Sequence, residues 1–163
     1  TNDPTQALSM EQTQLYWYHW FMATERGIRT VREQGKAFAQ RMWDTWAPSG
    51  WYLPDEFEQT AMAFNNSDWA QVTLHSYQHR WGHAPADPYY EADEKLLHPA
   101  PVLAVPSLVL HGGADGVSLP ATSANKEKFF SARYERQVIP GVGHFPQREA
   151  PQKVAQAILD FVM

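Results

Sequence analysis

The 163 residues are 44% hydrophobic and 19% charged, a balance that fits one globular unit of ordinary size and excludes a disordered chain. A net charge of −5, with no Lys/Arg cluster long enough to follow a phosphate backbone, argues against a nucleic-acid partner. No apolar run reaches the ~18 residues of a membrane-crossing helix, and a chain with no cysteine has no disulfide, thiolate metal site or catalytic thiol.

The opening "TNDPTQALSMEQTQLYW" lacks a basic n-region followed by an apolar h-region, so it does not read as a signal peptide. The missing initiator methionine points to a processed or excised piece, and the cysteine-free composition suits the cytoplasm. The stretch "QALSMEQTQLYWYHWFMATE" then predicts a long, aromatic helix. In "GIRTVREQGKAFAQRMWDTW", Ile28, Val31, Phe38 and Met42 stand at helical spacing. "PDEFEQTAMAFN" opens with Pro54 and two acids, a good helix start. "SDWAQVTLHSYQHRWG" predicts a helix with Ser67 as N-cap and Gly82 as stop.

Composition shifts near residue 100. All seven tryptophans and six of the seven tyrosines lie before it. Residues 1–100 carry seven Lys/Arg against thirteen Asp/Glu, and residues 101–163 carry six against five. The proline-rich "HPAPVLAVP" reads as the linker between a helical part, 1–100, and a second part, 101–163.

In the second part the period changes. "VPSLVLHGG" (105–113) and "YERQVIPG" (134–141) read as short buried strands. "PATSANKEKFFSA" (120–132) reads as a helix, and "APQKVAQAILDFVM" (150–163) as a helix with Val154, Ile158, Leu159 and Val162 on one side. Strand, helix, strand, helix is the pattern of a parallel α/β sheet. Two strands alone leave two open edges, so this α/β part reads as the end of a larger sheet.

Parallel sheets collect reactive residues at the carboxyl ends of their strands. Asp115 follows the first strand in "LHGGADGV", and His144 follows the second in "IPGVGHFP". An acid and a histidine on neighbouring loops form the orienting half of a catalytic triad, the carboxylate fixing the tautomer of the imidazole. Glycines at 112, 113, 116, 141 and 143 let the backbone turn sharply around them.

On these residues the chain resembles the C-terminal portion of an α/β-hydrolase-fold enzyme. "VPSLVLHGGADGV" is similar to the strand and loop of the family's acid, and "VIPGVGHFPQREAPQKVAQAILDFV" to its histidine loop and last helix. The family order of nucleophile, acid, histidine places Asp115 before His144, as here. The family's nucleophile elbow, G-x-S-x-G or its Asp counterpart, is absent; "GGADG" has Ala114 at its centre. An HGG stretch after an early strand can instead form an oxyanion hole, but the histidine loop and closing helix follow too soon for an N-terminal half.

The resemblance also implies a helical lid between the nucleophile and acid strands, where residues 1–100 fit. "QLYWYHWFMATERG" and "LHSYQHRWG" resemble lid helices of epoxide hydrolases and haloacetate dehalogenases. In the first group two lid tyrosines donate to the epoxide oxygen, at positions matching Tyr16 and Tyr77. In the second a His-Trp pair and a tyrosine cradle the departing halide, matching His19, Trp20 and Tyr77. Neutral donors stabilise charge on a leaving atom in both. His75, His79 and His83 recur at i, i+4 and i+8 as metal ligands can, but no carboxylate joins them and Arg80 stands among them, so they read as a helix interface, with Arg80 in an internal salt bridge.

The expectation is therefore a cofactor-free hydrolase without a metal. It acts on a small, fairly apolar epoxide, halogenated or ester substrate through a nucleophile–His144–Asp115 triad. The nucleophile, aspartate or serine, lies outside this chain. In some dehalogenases the acid sits on an earlier strand, which would make Asp115 a bystander. The expected partners are the absent half of the hydrolase core or a second copy of the chain. The alternative is an inactive lid or interaction module.

Overall fold

The computed structural model describes residues 7–97 and 99–163, so the start of the first expected helix and His98 of the expected linker lie outside the described residues. The chain divides into two compact units, Thr1–Thr45 with Tyr52–Glu91, and Trp46–Trp51 with Ala92–Met163. A short segment of the aromatic part, Trp46–Trp51, belongs to the second unit.

The first unit is helical. The long aromatic helix expected at its start is two helices, α1 (Met10–Leu15) and α2 (Trp17–Met22), with Tyr16 between them at φ −85°, ψ 13°. One straight helix would spread its rings around every face. The break buries Tyr16, Tyr18 and His19 together and leaves Trp17 40% exposed.

The next expected helix is also split, into α3 (Glu25–Glu33), capped by the Thr24 side chain, and α4 (Gly35–Trp46). The ring of Trp69 packs so closely on Gly35 that a Cβ there would meet it at 2.5 Å. The break at Gln34 admits that ring. Helix α5 (Pro54–Ala61) starts at Pro54 with Asp55 and Glu56 in its first turn, where carboxylates complement the free N–H groups.

Helix α6 (Trp69–Arg80) begins one turn-residue later than expected. Ser67 does not cap it, because its hydroxyl donates to Asp68 Oδ1 at 3.2 Å. It ends at Arg80, with Trp81 as its C-cap and the expected stop Gly82 next. Phe57, Ala39 and Ala61 form the core, with Trp43, Tyr52, Phe64 and Trp69 packed around them. Helix α7 (Glu91–Leu96) leads out of this unit.

The second unit holds β1 (Ser107–Gly112) and β2 (Tyr134–Ile139), parallel and paired from Ser107↔Tyr134 to Gly112↔Ile139. The connection 120–132, expected to be helical, instead makes two short 3-10 turns, Pro120–Ser123 and Glu127–Phe129. Asn125 lies between them at φ 56°, outside the helical region. The Ser123 hydroxyl is taken by His111 and Arg136.

Short α8 (Pro146–Glu149) and long α9 (Pro151–Val162) close the chain. The expected apolar face of α9 remains largely open, with Ile158, Leu159 and Val162 at 47%, 49% and 69% exposure. The strands are half-buried rather than buried on both faces. Both facts follow from a sheet with only two strands among the described residues. No described helix is long and apolar enough to cross a membrane.

Candidate active site

The ends of β1 and β2 bring Asp115 and His144 together in the second unit. His144 Nδ1 lies 3.1 Å from Asp115 Oδ1 and 3.0 Å from Oδ2. A carboxylate only accepts, so Nδ1 carries the hydrogen and Nε2 is the nitrogen left for a reactant. The Asp115 side chain is 7% exposed and that of His144 33%. The acid is therefore sheltered while the imidazole reaches the surface.

The Asp115 carboxylate is held from within its own loop. Oδ1 accepts the N–H groups of Val117 at 2.7 Å and Ser118 at 3.0 Å. Burial pushes its pKa up, but the hydrogen bonds from His144, Ser118 and Val117 and the charge of His144 outweigh it, and the net shift is downward. The acid is thus held ionised and directed at an imidazole.

Backbone contacts stitch the two loops. Gly113 N–H donates to Ile139 C=O and Ala114 N–H to Val142 C=O, each at 2.8 Å. The glycines serve two different purposes. Gly141 takes φ +74° in the turn, whereas Gly112 is required by proximity, since a Cβ on it would collide with the Gly143 carbonyl.

Two further residues support His144, and neither is marked by a local sequence pattern. Glu149 accepts the N–H of Gly143 at 2.6 Å and of Phe145 at 2.9 Å, one from each side of His144. The Trp46 carbonyl accepts the N–H of His144 and of Gly116, both at 3.0 Å. Trp51 stacks on Phe145 with centroids 4.4 Å apart. The segment Trp46–Trp51 thus comes from the aromatic stretch yet clasps the acid and histidine loops.

The residues matched to lid positions meet in the first unit. Tyr16 stacks on His19 at 4.5 Å, and Tyr77 lies 4.9 Å from the His19 ring. Trp20 packs on Trp81 at 4.7 Å. Trp81 Nε1–H donates to His19 Nδ1 at 3.0 Å, so His19 carries its hydrogen on Nε2. Burial, helped by the Arg80 charge, lowers the His19 pKa to about 4 and keeps it neutral.

His19 Nε2 and Trp20 Nε1 are buried without a hydrogen-bond partner among the described residues. Burial is also the main force raising the pKa of Tyr18 and of Tyr77, and the Tyr18 hydroxyl bonds to that of Tyr77. Tyr18, passed over in the sequence, is 2% exposed and belongs to this cluster.

Among the described residues no group of three or more His, Asp or Glu side chains is placed to hold a metal. His75 stacks on His79 at 5.8 Å and approaches the Pro85 carbonyl at 3.2 Å. The Arg80 guanidinium lies over the Tyr77 ring, 5.7 Å from its centroid.

No protein-family model and no curated protein matches the chain. Solved structures do. A candidate epoxide hydrolase from Klebsiella pneumoniae subsp. pneumoniae is 30% identical with a TM-score of 0.86, over 95% of this chain and 51% of that one. A haloalkane dehalogenase from Bradyrhizobium elkanii is 16% identical with a TM-score of 0.66, over 96% and 52%. An epoxide hydrolase from Bacillus megaterium is 15% identical with a TM-score of 0.60, over 94% and 53%. The chain spans about half the length of the structures it matches. With its helical region followed by two parallel strands and closing helices, the chain has the fold of the C-terminal portion of an α/β-hydrolase-fold enzyme and is similar to epoxide hydrolases and a haloalkane dehalogenase.

Proposed function

We propose that this chain supplies the acid, the base and the helical lid of a cofactor-free hydrolase, with the nucleophile carried by polypeptide outside these 163 residues. The substrate is small and fairly apolar and contains an epoxide, carbon–halogen or ester bond. With an aspartate nucleophile, a carboxylate oxygen attacks carbon and the halide or epoxide oxygen departs with its electron pair. Water then attacks the resulting ester while His144 Nε2 takes its proton. With a serine nucleophile, His144 takes the hydroxyl proton in the first step. Asp115 holds Nδ1–H throughout and stabilises the imidazolium.

The observation that carries this reading is the placement of His144 Nδ1 on both oxygens of a sheltered, ionised carboxylate. In the lid, the buried Nε2–H of His19 and Nε1–H of Trp20, without partners among the described residues, are neutral donors suited to an atom gaining negative charge. Tyr77 and Tyr16 are their companions in this role.

The test is the coding sequence upstream of Thr1, read for a nucleophile elbow, followed by assay of the complete enzyme. Asp115→Asn is nearly isosteric and is expected to lower turnover by about 10⁴-fold with little change in folding. Near-normal turnover would place the acid elsewhere. An upstream start codon beside Thr1, with no elbow, would favour the lid or interaction module.

A further inference from the structure

A second imidazole faces Asp115. His111, the fifth residue of β1, has a side chain only 10% exposed, and its Nε2 lies 3.6 Å from Asp115 Oδ2. The same nitrogen is 2.8 Å from the Ser118 carbonyl. Its Nδ1 is 2.8 Å from Ser123 Oγ, and that oxygen accepts from Arg136 Nε at 2.8 Å. A carbonyl only accepts, so Nε2 carries the hydrogen. The single hydrogen of the Ser123 hydroxyl has two acceptors in reach, the Pro120 carbonyl at 3.2 Å and His111 Nδ1 at 2.8 Å; in the neutral ring Nδ1 has no hydrogen of its own and takes it. The donors run in one direction, from Arg136 to Ser123 to His111 to the Ser118 carbonyl.

We propose that His111 is a positioning residue for Asp115, anchoring the acid's turn to the sheet and presenting Oδ2 to His144. The inference rests on Asp115 and His144 acting as an acid–base pair. The Val117 and Ser118 N–H groups hold Oδ1, but they belong to the same short turn and fix the carboxylate only relative to that turn. His111 reaches the turn from a strand, where it pairs with Val138 of β2. Its Nε2–H is bonded to the Ser118 carbonyl and borders Oδ2, so the acid is referenced to the two strands that carry it and His144. A site mounted on a strand is held more sharply than one mounted on its own loop.

The experiment reads imidazole signals by nuclear magnetic resonance in this 163-residue chain and needs no turnover. In the unaltered chain, ring ¹⁵N shifts should show His111 as the Nε2–H tautomer and a protected Nδ1–H on His144. Asp115→Asn, as the control, should abolish that protection. His111→Gln keeps a donor where Nε2 stood and should preserve it. His111→Asn can reach Ser123 but not Ser118, and should speed solvent exchange of the His144 Nδ1–H about tenfold, the equivalent of ~1.4 kcal/mol of lost hydrogen bonding to a charged group.

A His111 Nδ1–H tautomer would overturn the proposal. So would an Asn variant that exchanges like the unaltered chain, or equal loss in the Gln and Asn variants. If the Asn variant does not fold, the tautomer and the Gln variant still decide. Failure of the hydrolase reading would appear separately, as normal turnover of Asp115→Asn in the complete enzyme.

Discussion

The backbone N–H of His144 donates to the backbone carbonyl of Trp46 at 3.0 Å, and the two rings meet edge to face with centroids 5.3 Å apart. The same carbonyl takes the N–H of Gly116, so one acceptor with two lone pairs ties the acid loop to the histidine loop. Next to it, Gly143 lies against Ala47 so tightly that a Cβ on Gly143 would stand 2.5 Å from that of Ala47. Gly143→Ala should therefore force the clasp away, costing about 1–3 kcal/mol. Urea unfolding gives the loss, and hydrogen exchange should show the His144 amide as the most deprotected in the unit. An unchanged His144 amide would refute the clasp.

Glu149 offers two oxygens to two N–H groups, one on either side of His144. Glu149→Gln keeps the shape but has one acceptor oxygen and no charge. It should cost about 1–2 kcal/mol and release the amide of Gly143 or Phe145 to exchange. Stability equal to that of the unaltered chain would show that solvent replaces the carboxylate at no cost.

On the function proposed above, His144→Gln in the complete protein distinguishes the two nucleophiles. With aspartate, attack on carbon needs no base, so the covalent ester forms and its hydrolysis stops. Mass spectrometry after substrate exposure should then show a trapped adduct. With serine no adduct forms, because deprotonation of the hydroxyl requires the imidazole.

His19 makes stability depend on pH in a stated direction. Its folded pKa of about 4 lies below the ordinary 6.5, so between these values the unfolded chain binds a proton that the folded chain does not. Stability is complete above pH 6.5, falls as the pH drops toward 4, and levels off below. The loss, discounted for solvent screening, is about 2 kcal/mol. His19→Gln should flatten this part of a stability–pH curve measured by thermal melting. The same slope in the variant would assign it to another group.

Self-association should follow from the open sheet. Both β1 and β2 have an unpaired edge among the described residues, and Leu103, Val105, Ile158 and Val162 are each more than two-fifths exposed. Apolar edges of this kind pair with other chains. Sedimentation of the chain over a range of concentrations should show species above 18.6 kDa. A compact monomer throughout would mean that these surfaces are inert.

Much of the architecture was readable from local chemistry. Pro54 marks a helix start because its missing N–H is not needed there. Short apolar runs ending in glycine mark the two strands, and the order of Asp115 and His144 along those strand ends predicts their meeting. The 120–132 stretch misled because its composition permits a helix, while the structure draws Ser123 into the His111–Arg136 network and turns Asn125 to φ 56°. The breaks at Tyr16 and Gln34 are likewise packing decisions, taken to bury rings that a straight helix would leave outside.

What only the tertiary structure decided is the support around His144. The Trp46 carbonyl has no side-chain signature, since every residue carries one. Glu149 reads as a surface acid in a helix, and His111 as one residue of an apolar run. Their roles arise when strands β1 and β2 pair in register and bring distant loops within hydrogen-bond reach. Periodicity and turn chemistry report on neighbours a few residues apart. Which buried N–H groups then need an acceptor, and which acceptor reaches them, is settled only once the chain has packed.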